Sequence, residues 1–216
     1  MRTKRATSFA LLALMLILGM GSAGSEEMKS TIERPVRQPG VTLSFKTNAG
    51  SFTAKLVDAN VRDADCPLSP CAKWVLNGTE SREQYARDLY RDGDLNVYKR
   101  VESKNGRATV FSSVYLKFPI RIGDSWANDF TNTGGSLIHE TVTVSGWTVV
   151  RVMGKDYNAI HFHALDARMR TQTARLSGTS YTQDYYYVPE LGVVAKLDSD
   201  GFPEYHMELV KIEAGS

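Results

Sequence analysis

Residues 181–197 read YTQDYYYVPELGVVAKL, and this stretch decides the fold class. Apolar and aromatic side chains alternate with polar ones on both sides of a central break, which is typical of two β-strands. Pro189 restricts φ and Gly192 allows positive φ, so the break predicts a tight turn between antiparallel strands. The first strand places three tyrosines on one face: Tyr181, Tyr185 and Tyr187.

The same alternation continues outward along the chain. Residues 41–56 predict a hairpin around Asn48-Ala49-Gly50, and Asn105-Gly106 predicts another hairpin, because an Asn-Gly pair favours positive φ. Nine or more short strands rich in Val, Thr and Tyr follow one another in this way. The pattern predicts a mainly β protein with an antiparallel, strongly curved sheet or half-barrel.

One segment departs from the strand pattern. Ser81 and Gln84 have the spacing of a helix capping box, and Tyr85 and Leu89 lie four residues apart. We therefore expect one short helix over about 82–90.

The N-terminus has the pattern of an export signal. Met1 to Arg5 is basic, and residues 9–20 (FALLALMLILGM) form an apolar run of 12 residues followed by small residues. The run is shorter than the roughly 20 residues of a membrane span. We expect a signal peptide over 1–23, a flexible lead over 24–40 and a single β-rich domain over 41–216. An uncleaved membrane anchor is the alternative.

The charge balance supports this division. The chain has 26 basic and 24 acidic residues, but Arg2, Lys4 and Arg5 belong to the predicted leader, which has no acid. The remainder has 23 basic and 24 acidic residues, a net charge of −1. A nearly neutral chain has no electrostatic footprint for nucleic acid. We expect a periplasmic or secreted protein without stable membrane insertion after signal cleavage.

Only two cysteines are present, Cys66 and Cys71, in the stretch CPLSPC. In an exported protein a close, even pair most often forms a disulfide. A redox-active pair or two free thiols are the alternatives. The CxxxxC spacing differs from the CxxC of redox sites.

Three segments resemble those of bacterial exported proteins of unknown function. Residues 117–126 (KFPIRIGDSW) are similar to their FPL-x-x-G-x-x-W connector, and residues 185–196 (YYYVPELGVVAK) to their W-Y-x-P-E-x-G-x-V-x-K segment. Between them, residues 140–144 and 150–160 stand where those proteins carry a V-x-A-G-x-F-x-A hairpin. The resemblance covers roughly residues 105–212.

Two positions depart from the pattern of these proteins. Tyr186 replaces their Trp, and residues 154–157 read Gly-Lys-Asp-Tyr in place of Ala-Gly-x-Phe. The resemblance implies an exported, sheet-rich domain. It carries over no catalytic residue.

The aromatic residues are the candidates for ligand binding. Tyrosine rings offer apolar area with a polar tip, so the row of Tyr181, Tyr185 and Tyr187 could line a pocket, together with Trp126. The alternative is that these rings pack against neighbouring strands as part of the core.

Two histidines are the candidate metal ligands. His161 and His163 are two residues apart on a predicted strand, so they point to the same face. Further ligands would come from other strands, which carry His139, Glu140 and His206. Ile160, Phe162 and Ala164 form the apolar face, so the two histidines would lie on the more polar one.

The chain lacks the recognised catalytic and nucleotide-binding motifs, including G-x-S-x-G, HExxH, the P-loop and the Rossmann fingerprint. We therefore expect an exported, non-catalytic β-sheet protein that binds an apolar ligand or an envelope partner, without a cofactor. One alternative is a metal-dependent enzyme that uses the strand histidines. The other is a structural subunit of a cell-envelope complex.

Overall fold

The computed structural model describes residues 31–36, 38–64, 66–68, 70–80, 83–111, 113–131, 137–168, 180–200 and 204–215. Within these ranges the chain forms fourteen β-strands and no helix. The strands are β1 (Thr31–Ile32), β2 (Thr42–Thr47), β3 (Gly50–Val61), β4 (Cys71–Glu80), β5 (Glu83–Arg91), β6 (Val97–Glu102), β7 (Ala108–Val110), β8 (Ile120–Arg121), β9 (Ser125–Thr131), β10 (Leu137–Val152), β11 (Lys155–Arg168), β12 (Ser180–Val188), β13 (Val193–Ser199) and β14 (Tyr205–Glu213).

Twelve of these strands form one antiparallel sheet, in the order β7-β6-β5-β4-β3-β2-β14-β13-β12-β11-β10-β9. The sheet consists of two meanders, β2 to β7 and β9 to β14, and β14 pairs with β2 to join them. The chain therefore leaves the sheet at one edge, β7, and enters it again at the opposite edge, β9. The segment between β7 and β9 therefore links the two ends of the sheet.

The mainly β, antiparallel prediction is confirmed, but the strong curvature and the half-barrel are not. Among the described residues, β7 and β9 end the sheet and have no ladder to each other. The sheet is therefore open at both edges.

The helix predicted over about 82–90 is wrong, because Glu83–Arg91 forms β5 and pairs with β4 along its whole length. Side chains four residues apart share a face in a strand as well as in a helix, so the spacing of Tyr85 and Leu89 fits both. The partner strand decides between them, since Leu89 lies opposite the buried Trp74. Ser81, the predicted capping residue, lies outside the described residues.

The turns predicted around Asn48-Ala49-Gly50, Asn105-Gly106 and Pro189–Gly192 are found between paired strands, and a further turn lies at Gly154. Gly106 has a φ of 67° between β6 and β7, and Gly154 has a φ of 74° between β10 and β11. Met153, next to Gly154, has a φ of 52°. Two successive positive φ values are those of a two-residue turn whose twist matches the flanking strands. After the Asn105-Gly106 turn, the returning strand β7 is short and covers only Ala108–Val110.

The predicted disulfide is present between Cys66 and Cys71, immediately before β4. Part of the predicted flexible lead is attached to the domain, because Thr31–Ile32 pairs with β8. Nε of Arg34 also donates to Asp94 Oδ1 at 2.8 Å.

The predicted signal peptide, residues 1–23, lies outside the described residues. Within the described ranges there is no helix with the length and hydropathy of a bilayer span.

Buried side chains form two apolar clusters. The first joins the β2–β5 meander to the end of the β10–β11 hairpin and includes Leu43, Leu56, Trp74, Val152 and Leu209. The second lies under β10, β11 and β12 and includes Ile120, Val142, Phe162, Tyr185 and Tyr187. Fully burying one such side chain contributes about 1.5–3 kcal/mol.

Candidate functional site

The segment that links the two ends of the sheet, residues 113–119, is called the connector here. Asn96, which precedes β6, holds it from one side. Its Nδ2 donates to the carbonyl of Leu116 at 2.8 Å, and its Oδ1 accepts from the amides of Tyr115 and Leu116, both at 2.8 Å. The buried side chain of Asn96 therefore bonds the backbone of the connector, as a neighbouring strand would do in a β-ladder.

The other edge of the sheet holds the connector in a similar way. Asn128, on β9, accepts from the amide of Val114 at 3.2 Å and donates to its carbonyl at 3.1 Å. The indole Nε1 of Trp126 donates to the same carbonyl at 2.6 Å. The connector is thus bonded to both edges of the open sheet.

The turn that carries Asn96 is built around Asp92. Oδ1 of Asp92 accepts from the amides of Asp94 and Asn96, both at 2.9 Å, and Leu95 has a positive φ of 69°. Burial raises the pKa of the Asp92 carboxyl, although the hydrogen bonds from Asn96 oppose the shift. An aspartate that bonds the amides two and four residues ahead is a local device for closing a turn.

A cavity of about 610 Å³ lies between this turn, the connector and β9. Its apolar wall includes Leu68, Val97, Tyr98, Phe111, Val114 and Trp126. Its polar lining includes Asp92, Asp94, Asn96, Ser113 and Asn128, all of which are buried. A concave, largely apolar site with a few placed polar groups is the usual form of a small-molecule pocket.

We expect the Asn96→Ala substitution to lower the free energy of unfolding by about 1–3 kcal/mol, because it removes three buried hydrogen bonds to the connector. Hydrogen exchange should accelerate at the amides of Tyr115 and Leu116. The matched control is Asn60→Ala on the exposed part of β3, which should leave both amides protected. Unchanged exchange in the Asn96 variant would show that the asparagine does not hold the connector.

Behind Asn128 lies a pair of buried acids. Glu140 on β10 is directly opposite Asp166 on β11, and neither side chain is exposed to solvent. Oε2 of Glu140 accepts from Asn128, and Oδ2 of Asp166 accepts from Gln183 Nε2 at 2.8 Å. Oε1 of Glu140 and Oδ1 of Asp166 have no partner among the described residues.

Burial raises the pKa of the Glu140 carboxyl to about 8, and the charge of Asp166 acts in the same direction, while the hydrogen bond from Asn128 opposes both. Glu140 is therefore protonated near neutral pH. One proton between the two carboxyl groups would satisfy both of the remaining oxygens.

The tyrosine row lies against the connector. Tyr185 packs on Tyr115 with ring centroids 5.4 Å apart, and Tyr187 packs on Phe118 at 5.6 Å. Both Tyr185 and Tyr187 are buried and belong to the second apolar cluster. Tyr181 is partly buried, and burial raises the pKa of its hydroxyl, with the Asp166 carboxyl acting in the same direction. Of the four predicted ligand-binding residues, Trp126 is the one that lines the cavity, and a ligand role for the tyrosines stays a prediction.

The two strand histidines lie on the opposite face of the sheet. His161 and His163 alternate with Ile160, Phe162 and Ala164, which are fully buried. Both imidazoles meet Asp184 on β12, with 2.6 Å from His161 Nε2 and 2.9 Å from His163 Nδ1 to the same Oδ1. The predicted shared face is thus observed.

The other two histidines do not join this cluster. His139 contacts Asp129 at 2.7 Å, and His206 contacts Asp198 at 2.9 Å. Glu140 lies in the interior.

Sequence reasoning missed several polar residues that organise both sites. The side chains of Asn96, Asn128 and Asp166 form hydrogen bonds with residues 12 to 20 positions away in the chain. No local sequence pattern therefore identifies them. Asp184 did have a signal. It alternates with Tyr185 and Tyr187, so it shares the polar face of β12 with Tyr186.

No family model matches the chain, and no curated protein matches its sequence. Solved structures match its fold. A candidate exported protein with a YmcC-like fold from Bacteroides fragilis has a TM-score of 0.50 at 7% identity, over 86% of this chain and 100% of that chain. This likeness shows that the chain has a YmcC-like fold.

Two further solved structures are similar at lower scores. The hypothetical lipoprotein YmcC from Escherichia coli has a TM-score of 0.45 at 11% identity, over 85% of this chain and 93% of that chain. A candidate lipoprotein from Parabacteroides distasonis has a TM-score of 0.48 at 9% identity, over 86% of this chain and 100% of that chain.

Proposed function

We propose that this chain is an exported, non-catalytic β-sheet protein that binds an apolar small molecule in the cavity beneath the connector. The observation that carries the proposal is the cavity itself. Its volume of about 610 Å³ lies within the range of about 300–1,000 Å³ that is usual for ligand sites. A sheet with a solid core would have left no such space.

The lining favours a ligand with an apolar body. Aromatic rings of Tyr98, Phe111 and Trp126 face the cavity, and such rings bury a large apolar area. The amides of Asn96 and Asn128 are already bonded to the connector, so they shape the site and leave few strong polar contacts for a ligand. Lys117 also lines the cavity, and its exposed side chain could meet a polar head group.

Export is the part of the proposal that rests on the sequence. The basic, apolar and small-residue order of residues 1–23 supports a cleaved leader, and a disulfide between Cys66 and Cys71 suits an oxidising compartment. We also infer a relationship to the exported β-rich proteins of unknown function whose segments residues 117–126 and 185–196 resemble.

The binding proposal is tested with N-phenyl-1-naphthylamine, a neutral apolar dye that fluoresces when it is buried. We expect saturable binding to the whole chain with a Kd on the order of 1–10 μM. Val114→Trp should weaken binding by about tenfold or more, because the larger ring occupies the cavity.

The matched control is Val149→Trp, which places the same ring at an exposed position of β10 and should leave the Kd unchanged. Ala127→Trp, at the cavity wall on β9, is a second blocking variant in case a tryptophan at 114 displaces the connector. Fluorescence that does not saturate would overturn the proposal. So would equal losses of affinity in the blocking variants and in the Val149 variant.

A further inference from the structure

Three potential metal ligands meet on the outer face of the sheet. His161 and His163 belong to β11, and Asp184 belongs to β12, directly opposite His163 in the ladder. One nitrogen from each imidazole and one carboxylate oxygen lie within 4.8 Å of one another. All three residues are partly exposed, so an ion could reach them from solvent.

The spacing of these atoms suits a small cation. Zinc–nitrogen and zinc–oxygen bonds are about 2.0–2.2 Å long, so tetrahedral ligands lie about 3.4 Å apart. The two observed nitrogen–oxygen distances are 2.6 and 2.9 Å. Side-chain rotations would have to lengthen these two contacts by less than about 1 Å and bring the two nitrogens, which lie within 4.8 Å of each other, to a similar spacing.

The neighbours of His161 hold its ring and leave space around it. Tyr186 stacks on the imidazole, with ring centroids 5.1 Å apart and an angle of 14° between the planes. Gly146 is the ladder partner of His161 on β10, and a Cβ added there would meet no atom within 4 Å. Tyr186 therefore fixes the orientation of the imidazole from one side, and the ring is accessible from the side of Gly146.

Asp184 supplies the acidic group of this cluster. Asp184 lies directly opposite Asp198 on β13, and like charges at such positions repel. The same oxygen of Asp184 contacts both imidazoles, so one carboxylate joins the two rings. Asp198 has its own partners in Lys196 and His206.

We propose that His161 Nε2, His163 Nδ1 and Asp184 Oδ1 form a binding site for one divalent first-row transition ion such as Zn²⁺. Two imidazoles and a carboxylate are a ligand set that such ions accept. Three protein ligands leave a further coordination position open to water or a small anion. The site is separate from the cavity, since these side chains and the cavity lie on opposite faces of the sheet.

The test is a calorimetric titration of the whole chain, purified without a histidine tag, with Zn²⁺ alone. We expect about one equivalent to bind with a Kd on the order of micromolar or tighter. His161→Ala, His163→Ala and Asp184→Asn should each weaken binding by about tenfold or more. Bound Co²⁺ should show the strong visible absorption of a tetrahedral ion, and the three variants should lose it.

His206→Ala is the matched control, because His206 lies on the same sheet face and contacts Asp198 and Glu204. Within the described ranges it belongs to no group of three ligand atoms that lie within 4.8 Å of one another. It should bind Zn²⁺ as the unmodified chain does. Less than about 0.1 equivalent bound to the unmodified chain would overturn the proposal. An equal loss in the His206 variant would also overturn it, since binding would then belong to surface histidines in general. Val114→Trp should not alter Zn²⁺ binding, which separates this result from the cavity proposal.

Discussion

Replacing Trp74 with alanine is expected to lower the free energy of unfolding by about 3–5 kcal/mol. Trp74 is 1% exposed and lies in the first apolar cluster. It stands between Leu56 on β3 and Leu89 on β5, which are its ladder partners and are also buried. Removing the indole leaves a space that these strands cannot close, because both are fixed by their own ladders.

Urea denaturation followed by far-ultraviolet circular dichroism measures this loss. Trp147→Ala is the matched control, because Trp147 is only partly buried at the margin of the second cluster. Its expected loss is about 1–2 kcal/mol. If the two variants lose the same stability, Trp74 is not the central packing element that its burial indicates.

Replacing Glu140 with glutamine is expected to stabilise the protein at pH 8, by about 2–4 kcal/mol. Burial raises the pKa of Glu140 from 4.5 to about 8, so ionising this carboxyl in the folded state is costly. A glutamine carbonyl can still accept from Asn128. Its amide can donate to Oδ1 of Asp166, which accepts from no hydrogen-bond donor in the part of the chain that the structure describes.

The raised pKa also determines how stability depends on pH. The unfolded chain loses the Glu140 proton near pH 4.5, whereas the folded chain keeps it up to about pH 8. The contribution of this group to stability is therefore fully present below about pH 4.5 and is lost as the pH rises towards 8. Over the same interval, Glu140→Gln should lack this downward slope.

Chemical denaturation at several pH values between about 4.5 and 8 tests both expectations. Glu83→Gln, at an exposed position of β5, is the control and should keep the slope of the unmodified chain. A Glu140 variant that is less stable than the unmodified chain at pH 8 would show that the buried carboxyl is ionised and bonded in the folded state.

Local chemistry explains which strands could be predicted. The turns at Asn105-Gly106 and at Gly154 require positive φ, and the residue types that tolerate it are visible in the sequence. β5 was predicted as a helix because a spacing of four residues is compatible with both periodicities. Only its pairing with β4 removes that ambiguity.

The histidine cluster could likewise be predicted only in part from the sequence. The shared face of His161 and His163 follows from their spacing of two residues, and the structure has it. Asp184 completes their cluster only because β12 pairs with β11 in one register, in which it faces His163. A shift of one residue would have placed Asp184 on the buried face.

The sequence by itself determined the strand content, the antiparallel hairpins, the disulfide and the polar face of the histidines. All of these depend on residues close together in the chain or on a period of two. The tertiary structure alone decided the pairing of β2 with β14 and the hydrogen bonds that hold the connector at both ends of the sheet. It also decided the cavity that Asn96 and Asn128 frame. These features join residues far apart in the chain, and their free energy comes from burial and hydrogen bonds that exist only once the sheet has assembled.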